Sequence, residues 1–237
     1  MKMYPYFKSS VTCAGILVMG LFAASANAAP VFFSDRTTFD NEAGPLSGFE
    51  DFEEANLGMV DQLGPWDSTT DDPIFSPGEI VEGVAFDSTG TNNLIALGPA
   101  FGLPSTAIGP FLSTGDLDIS FAPGVDAVGF DIFVDSSSPI VEMAISVFDV
   151  DDLLIATEFI GIAPANPVGA FFGVIDTMAS IGRIRLSAVD PVNASEFIDN
   201  IAFGSLDAAR VPTPGSLALL GFGLAGLGLA RRGRKAA

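Results

Sequence analysis

The chain has 237 residues, with 29 acids against 10 basic residues, no histidine and one cysteine. The lack of histidine excludes Ser-His-Asp and Cys-His triads, HExxH zinc sites and a histidine general base. All 29 acids lie between residues 29 and 210, where only Arg36, Arg183, Arg185 and Arg210 oppose them. That span carries a net −25, which repels nucleic acid and anionic lipid and attracts divalent cations.

Lys2 and Lys8 accompany an acid-free apolar run over 11–24, and Ala26-Asn27-Ala28 supplies a small-x-small cleavage site. This pattern predicts a secretory signal peptide over residues 1–28, handled by the Sec machinery and cut after Ala28. Cys13 leaves with it, so the mature chain is expected to have no thiol, disulfide or cysteine-held metal. An exported chain without disulfides needs a substantial hydrophobic core or bound ions.

Residues 29–210 are of single-domain size and rich in apolar residues and phenylalanine. A strand is predicted at 31–33, a short helix at 37–43 and a second strand at 49–52. Residues 54–76 read as a long irregular loop holding Trp66 among Asp61, Asp67, Asp71 and Asp72. Beyond it, runs of Val, Ile and Phe bounded by Gly, Pro, Asp, Asn or Ser predict strands at 80–87, 93–98, 116–122, 127–134, 141–150, 153–160, 168–176, 181–189 and 196–204. Val128, Phe130, Ile132 and Val134 alternate along one of these, and Val141, Met143, Ile145 and Val147 along another, so each set faces one side of a sheet. No long stretch carries a helical stripe. The expected fold is all-β, a single jelly-roll-like sandwich.

After Arg210 the composition changes. Val211-Pro212-Thr213-Pro214-Gly215 leads into a Gly- and Leu-rich apolar run to residue 230, followed by Arg231, Arg232, Arg234 and Lys235. The apolar run is about 24 Å long as a helix, marginal for a permanent span, and the basic tail holds its end on the cytoplasmic side. This order of proline motif, apolar helix and basic tail resembles the PEP-CTERM sorting signal of Gram-negative bacteria. The resemblance covers residues 211–237. It implies an exosortase-type membrane protease as partner, transient anchoring at the inner membrane and delivery to the cell surface or extracellular matrix. Such proteins usually occur in species that make extracellular polysaccharide. Thr213 stands where the family motif has Glu, one negative charge fewer.

A looser resemblance covers parts of the body. Residues 125–131 (VDAVGFD), 171–174 (FFGV), 181–186 (IGRIRL) and 197–204 (FIDNIAFG) are similar to strands of exported domains that often carry this signal. Those domains are similar to carbohydrate-binding-type β-sandwiches, which implies a fold and no particular activity.

Candidate ligand-binding residues are few. Asp199 shares sequence parity with Phe197, Ile201 and Phe203, and a carboxylate among inward apolar residues is costly unless paired or metal-bound. Glu50 lies in an early strand that a jelly roll would set beside the last. Glu50 and Asp199 could together hold Ca²⁺, a hard ion that takes oxygen ligands; the other reading has Asp199 capping a loop or pairing with Arg183 or Arg185. No other cofactor is expected. Trp66 could stack on a sugar ring or plug its loop onto the core. Asp149-Val150-Asp151-Asp152 lacks the glycine and distal glutamate of an EF-hand and reads as a tight turn. The expected function is a non-catalytic surface or matrix module associated with extracellular polysaccharide. The alternatives are a structural envelope protein without a glycan site and, third, a glycan-acting hydrolase using a carboxylate pair.

Overall fold

The computed structural model describes residues 29–57, 62–89, 93–111, 115–135, 139–164, 169–178, 180–190 and 194–206. The expected signal peptide and sorting segment lie outside them. Fourteen strands form two facing sheets. The strands are β1 (Val31–Phe33), β2 (Gly48–Glu50), β3 (Gln62–Leu63), β4 (Trp66–Asp67), β5 (Val84–Ser88), β6 (Asn93–Leu97), β7 (Ala107–Pro110), β8 (Leu117–Val125), β9 (Ala127–Asp135), β10 (Val141–Asp149), β11 (Leu154–Ile162), β12 (Ala170–Ile175), β13 (Ile181–Asp190) and β14 (Ser195–Gly204). The eight-stranded sheet runs β1-β12-β9-β14-β7-β6-β3, with β2 also paired to β14; the six-stranded sheet runs β11-β10-β13-β8-β5-β4.

Period-2 alternation builds the core between them. Val141, Met143, Ile145 and Val147 of β10 face Val128, Phe130, Ile132 and Val134 of β9, all within one buried cluster. From β8 onward the chain changes sheets at every connection except the β10–β11 hairpin. Among the described residues, the core clusters draw on residues from Phe32 to Leu206.

Among the described residues one α-helix, α1 (Arg36–Ala43), covers part of the outer face of the eight-stranded sheet. Asp35 caps it, its carboxylate accepting from Thr38 N at 2.8 Å, and Gly44 ends it at φ 71°. Phe39 and Ala43, one turn apart, are its buried residues. Phe39 lies on the backbone of Gly129 and Gly173, where a Cβ would stand 2.6 and 2.7 Å from its ring. A third cluster, Ile95, Ala107, Phe133 and Phe197, covers the same outer face further along.

The strands expected at 31–33 and at 80 and beyond form, with boundaries shifted by a few residues, and β2 begins one residue before its expected start. β3, β4 and β7 are additions to the expected set. β7 carries Gly109 and Pro110, which read as turn residues. Gly109 is there because β14 passes too close for a side chain: a Cβ would lie 2.0 Å from the Glu196 carbonyl oxygen. We predict that Gly109→Ala lowers stability by about 1–3 kcal/mol, measured by urea denaturation of residues 29–210. An unchanged midpoint would refute the close packing of β7 on β14.

Candidate functional site

Residues 54–76, expected to be an irregular loop, include a packed plug. Ile74 and Phe75 are buried in the main core. Asn56 N donates to Ile74 O at 2.8 Å and Gly78 N to Ser68 O at 2.9 Å, closing the segment on itself. Trp66 is 0% exposed. Its ring meets Phe75 edge-on at 5.1 Å, and its Nε1 donates to Asp72 at 2.8 Å. The sugar-stacking reading of Trp66 is therefore corrected. An indole whose only polar atom is satisfied inside the core presents no face to a ligand. The loop aspartates are also in use. Asp72 accepts from Ile74 N and Phe75 N, and Asp67 from Thr69 N and its hydroxyl, which pulls the Asp67 carboxyl below its ordinary value.

Glu50 and Asp199 are both buried, but on opposite faces of the eight-stranded sheet. β14 pairs with β9 in regular register from Ser195 to Asp199, shifts, and resumes at Ala202. The shift is a β-bulge with Asn200 at φ 52°. Before it, Ile198 faces the core opposite Ile132 while Phe197 and Asp199 face outward with Phe133 and Asp131; after it, Ile201 and Phe203 face the core. The shared parity of Asp199 with Ile201 and Phe203 is thus broken. Glu50 pairs with Ile201 and takes the inner side.

Each carboxylate has its own surroundings. Glu50 accepts from Phe52 N and Val81 N, both at 2.8 Å, and burial raises its pKa above 4.5. One carboxylate oxygen each from Glu50, Asp51 and Glu54 lie within 4.8 Å of one another. Asp199 accepts from the Ser105 hydroxyl, Asn200 N at 2.6 Å and Asn200 Nδ2 at 3.0 Å. Burial pushes it up to about 6, with Asp131 and Glu53 adding like charge. The acid near Asp199 from this part of the chain is Glu53, in the turn after β2, whose own carboxylate accepts from Thr106 N at 2.9 Å. The nearby cation is Arg36, which donates to Asn200 O at 2.7 Å and pairs with Asp131 at 3.3 Å. Arg183 and Arg185 are elsewhere, on the outer face of the six-stranded sheet.

There Asp118 accepts from Arg183 at 3.0 Å and from Arg185 twice at 2.7 Å. The Arg183 guanidinium also lies 3.9 Å over the Phe148 ring. The turn at 149–152 is a tight turn as expected, with Asp149 accepting from Asp151 N and Leu153 N. It folds over Gly182 and leaves a shallow groove of about 230 Å³ lined by Ser120, Asp149, Asp152 and Arg183.

One buried acid had no signal in the sequence. Glu196 is 1% exposed and stands opposite Val134 on the inner side of the sheet. Its Oε1 and the hydroxyl of Ser88, also 1% exposed, are buried without hydrogen-bond partners among the described residues. Burial lifts Glu196 to about 8, with Asp116 adding like charge and a backbone contact at Leu117 of the other sheet opposing it.

No family model matches the chain, and no curated protein does. Solved structures of similar architecture exist. A family 6 carbohydrate-binding module has 12% identity, covering 68% of this chain and 95% of its own, at a TM-score of 0.33. A point mutant of CBM29-2, a family 29 carbohydrate-binding module complexed with cellulohexaose, has 14% identity, 68% and 94% coverage and a TM-score of 0.32. CsCBM6-3 from Clostridium stercorarium, in complex with cellobiose, has 17% identity, 50% and 86% coverage and a TM-score of 0.31. These likenesses concern the β-sandwich alone and carry no argument about a ligand.

The buried groups generate two predictions. Glu196 binds its proton more tightly folded than unfolded, so its contribution to stability is greatest below pH 4.5 and declines as pH rises towards about 8. In thermal melts between pH 5 and 9, Glu196→Gln is expected to flatten that decline; a curve parallel to wild type would sink the assignment. Trp66→Ala is expected to cost about 3–5 kcal/mol in denaturant unfolding. A loss under about 1 kcal/mol, by the same measurement, would put the indole outside the core.

Proposed function

We propose that this chain is an exported bacterial surface or matrix protein, sorted by an exosortase-type protease, whose jelly-roll-like sandwich is a non-catalytic module associated with extracellular polysaccharide. The observation that carries the proposal is the order of segments: a signal-like start, a domain with every acid of the chain, and a proline motif followed by an apolar run and a basic tail. An acidic mature domain stays hydrated and soluble outside the cell, and a hydrophobic core without cysteine suits export without disulfides.

The chemistry favours binding over catalysis. Histidine is lacking. The acids with pKa values raised by burial, Glu50, Asp199 and Glu196, are sealed beneath the surface, where they meet no substrate. The second reading, a structural envelope protein without a glycan site, gains from the burial of Trp66, which removes the one indole that could stack on a sugar. Any stacking contact then falls to exposed phenylalanines such as Phe49 or Phe101.

Calcium belongs to this proposal as a stabilising ion. The pairing of Glu50 with Asp199 gives way to two separate carboxylate groups, Glu50 with Asp51 and Glu54, and Asp199 with Asp131 and Glu53.

The test is co-sedimentation of residues 29–210 with the host's extracellular polysaccharide, with calcium and with a chelator. Saturable binding supports the glycan reading. Absence of binding in both conditions moves the assignment to the structural reading, and release of soluble sugar would establish a hydrolase. Calcium is expected to raise the melting temperature, with Glu50→Gln or Asp199→Asn removing the shift according to the group that holds the ion; equal melts with and without chelator dispose of the calcium proposal. In the host, replacing Pro212 and Pro214 by alanine in the full chain should leave unprocessed protein in the inner-membrane fraction. Unaltered processing would refute the sorting assignment.

A further inference from the structure

Among the described residues the two sheets end in β1, β3, β4 and β11, with the three-residue β2 a branch on β14, and all of these but β11 are very short. β1 has three residues, and β3 and β4 have two each. Short edge strands are a usual defence against pairing between molecules. The fourth edge is β11, with nine residues. Among the described residues it pairs on one side only, with β10.

β11 is only lightly protected. It contains no proline and no lysine; its protections are the bulge at Ile155 and its one charged residue, Glu158, which stands opposite Ile145 on the inner side of the sheet. Leu154 and Phe159 are 59% and 58% exposed, and Leu153, just before the strand, is 65% exposed. Two copies of a domain carrying −25 repel one another over most of their surface. Contact between them is cheapest where acids are sparse, and residues 153–164 hold only Glu158.

The geometry of the strand specifies a register. β11 follows β10 regularly from Ile162 back to Ala156, and then bulges at Ile155 before Leu154 meets Phe148. The regular stretch, 156–162, is centred on Phe159. A two-fold axis at Phe159 pairs Ala156 with Ile162, Thr157 with Gly161 and Glu158 with Ile160 of the second copy. Each pair has matching faces, because both partners lie an even number of residues apart. The two Glu158 carboxylates are never directly opposite, and the two Phe159 rings meet on the outer face, an aromatic pair that favours the contact. A bulge at one end and the strand end at the other limit the ladder to this length.

We propose that β11 is a self-association edge, on which a second copy of this chain adds its own β11 antiparallel and joins the two six-stranded sheets into one. An antiparallel ladder about a two-fold is self-complementary, since each strand offers the donors and acceptors that the other needs. The inference does not depend on glycan binding, and it gives a surface protein a lateral contact of its own.

The test is sedimentation equilibrium of residues 29–210 over a range of concentration and salt. A monomer–dimer equilibrium that tightens with salt is expected, because screening relieves repulsion between the acidic bodies. The exposed double variant Leu154→Lys, Phe159→Lys is expected to weaken association by about tenfold or more while leaving the melting temperature of the dilute monomer unchanged. Phe159→Cys, in a mature sequence with no other thiol, should form an intermolecular disulfide under mild oxidation. A wild-type protein that stays monomeric at all salts overturns the proposal. So does a dimer that survives the lysine substitutions, or a Phe159→Cys variant that fails to cross-link.

Discussion

The bulge at Asn200 is the constraint on which the middle of the molecule depends. β14 lies between β9 and both β7 and β2, so it must serve two faces that each have a claim on it. On the inner side it supplies Ile198, Ile201 and Phe203 to the main core; on the outer side it supplies Phe197 to the third cluster and Asp199 to a polar network. Strict alternation would place Phe197, Asp199, Ile201 and Phe203 together. One extra residue in the left-handed region shifts the phase halfway along, so the apolar residues on either side of it reach the core and the carboxylate is left outside it. The Asn200 side chain then bonds both Asp131 and Asp199, and its carbonyl accepts from Arg36, so the bulge is also the anchor for the start of α1.

That network shows how a chain with so many acids builds a sandwich. Many aspartates do local backbone work. Asp35 caps the helix, Asp67 and Asp72 fix the plug around Trp66, and Asp149 closes the β10–β11 turn. A short carboxylate that accepts neighbouring N–H groups stabilises a turn without needing a cation. The few basic residues are concentrated where acids converge: Arg36 on Asp131, and Arg183 and Arg185 on Asp118 with Asp152 and Asp116 at its sides. Glu50 and Glu196 have no cation and retain their protons more strongly instead.

The fold was legible where one face is buried and the other wet. β9 and β10 alternate without interruption, and their core sets were readable residue by residue. The short helix was readable over most of its length, from Thr37 to Ala43. What escaped was decided by tertiary approach. β7 holds Gly109 and Pro110, punctuation in a linear reading, but the glycine is there to let another backbone pass. β3 and β4 are two residues each, too short for a period to register. The candidate site was less legible still. Parity placed Asp199 on the wrong face because a bulge leaves no mark in composition, although an Asn inside an apolar strand is the residue that tolerates positive φ. For Trp66 among aspartates the sequence left a sugar platform and a core plug both open, and burial decides for the plug, with Asp72 as the indole's partner. Glu196 lay in the expected strand, but its inward direction depends on register with Val134, which a sequence does not print.

A sandwich of this kind must also dispose of its edges, and the disposal is uneven. Covering an edge with a short strand costs little: β1, β3 and β4 are brief excursions of segments whose main work is elsewhere, β1 leading into α1 and β3 and β4 belonging to the plug. β11 has no such second task. It is a full-length strand in a hairpin, and its outer side chains contribute little to the core. Ile162 sits in the main core and Ile155 and Ile160 pack against it, but the outer Leu154 and Phe159 could be charged without disturbing the packing of the sheets. Its apolar outer residues are therefore not demanded by the fold, and a contact outside the fold gives them a physical reason.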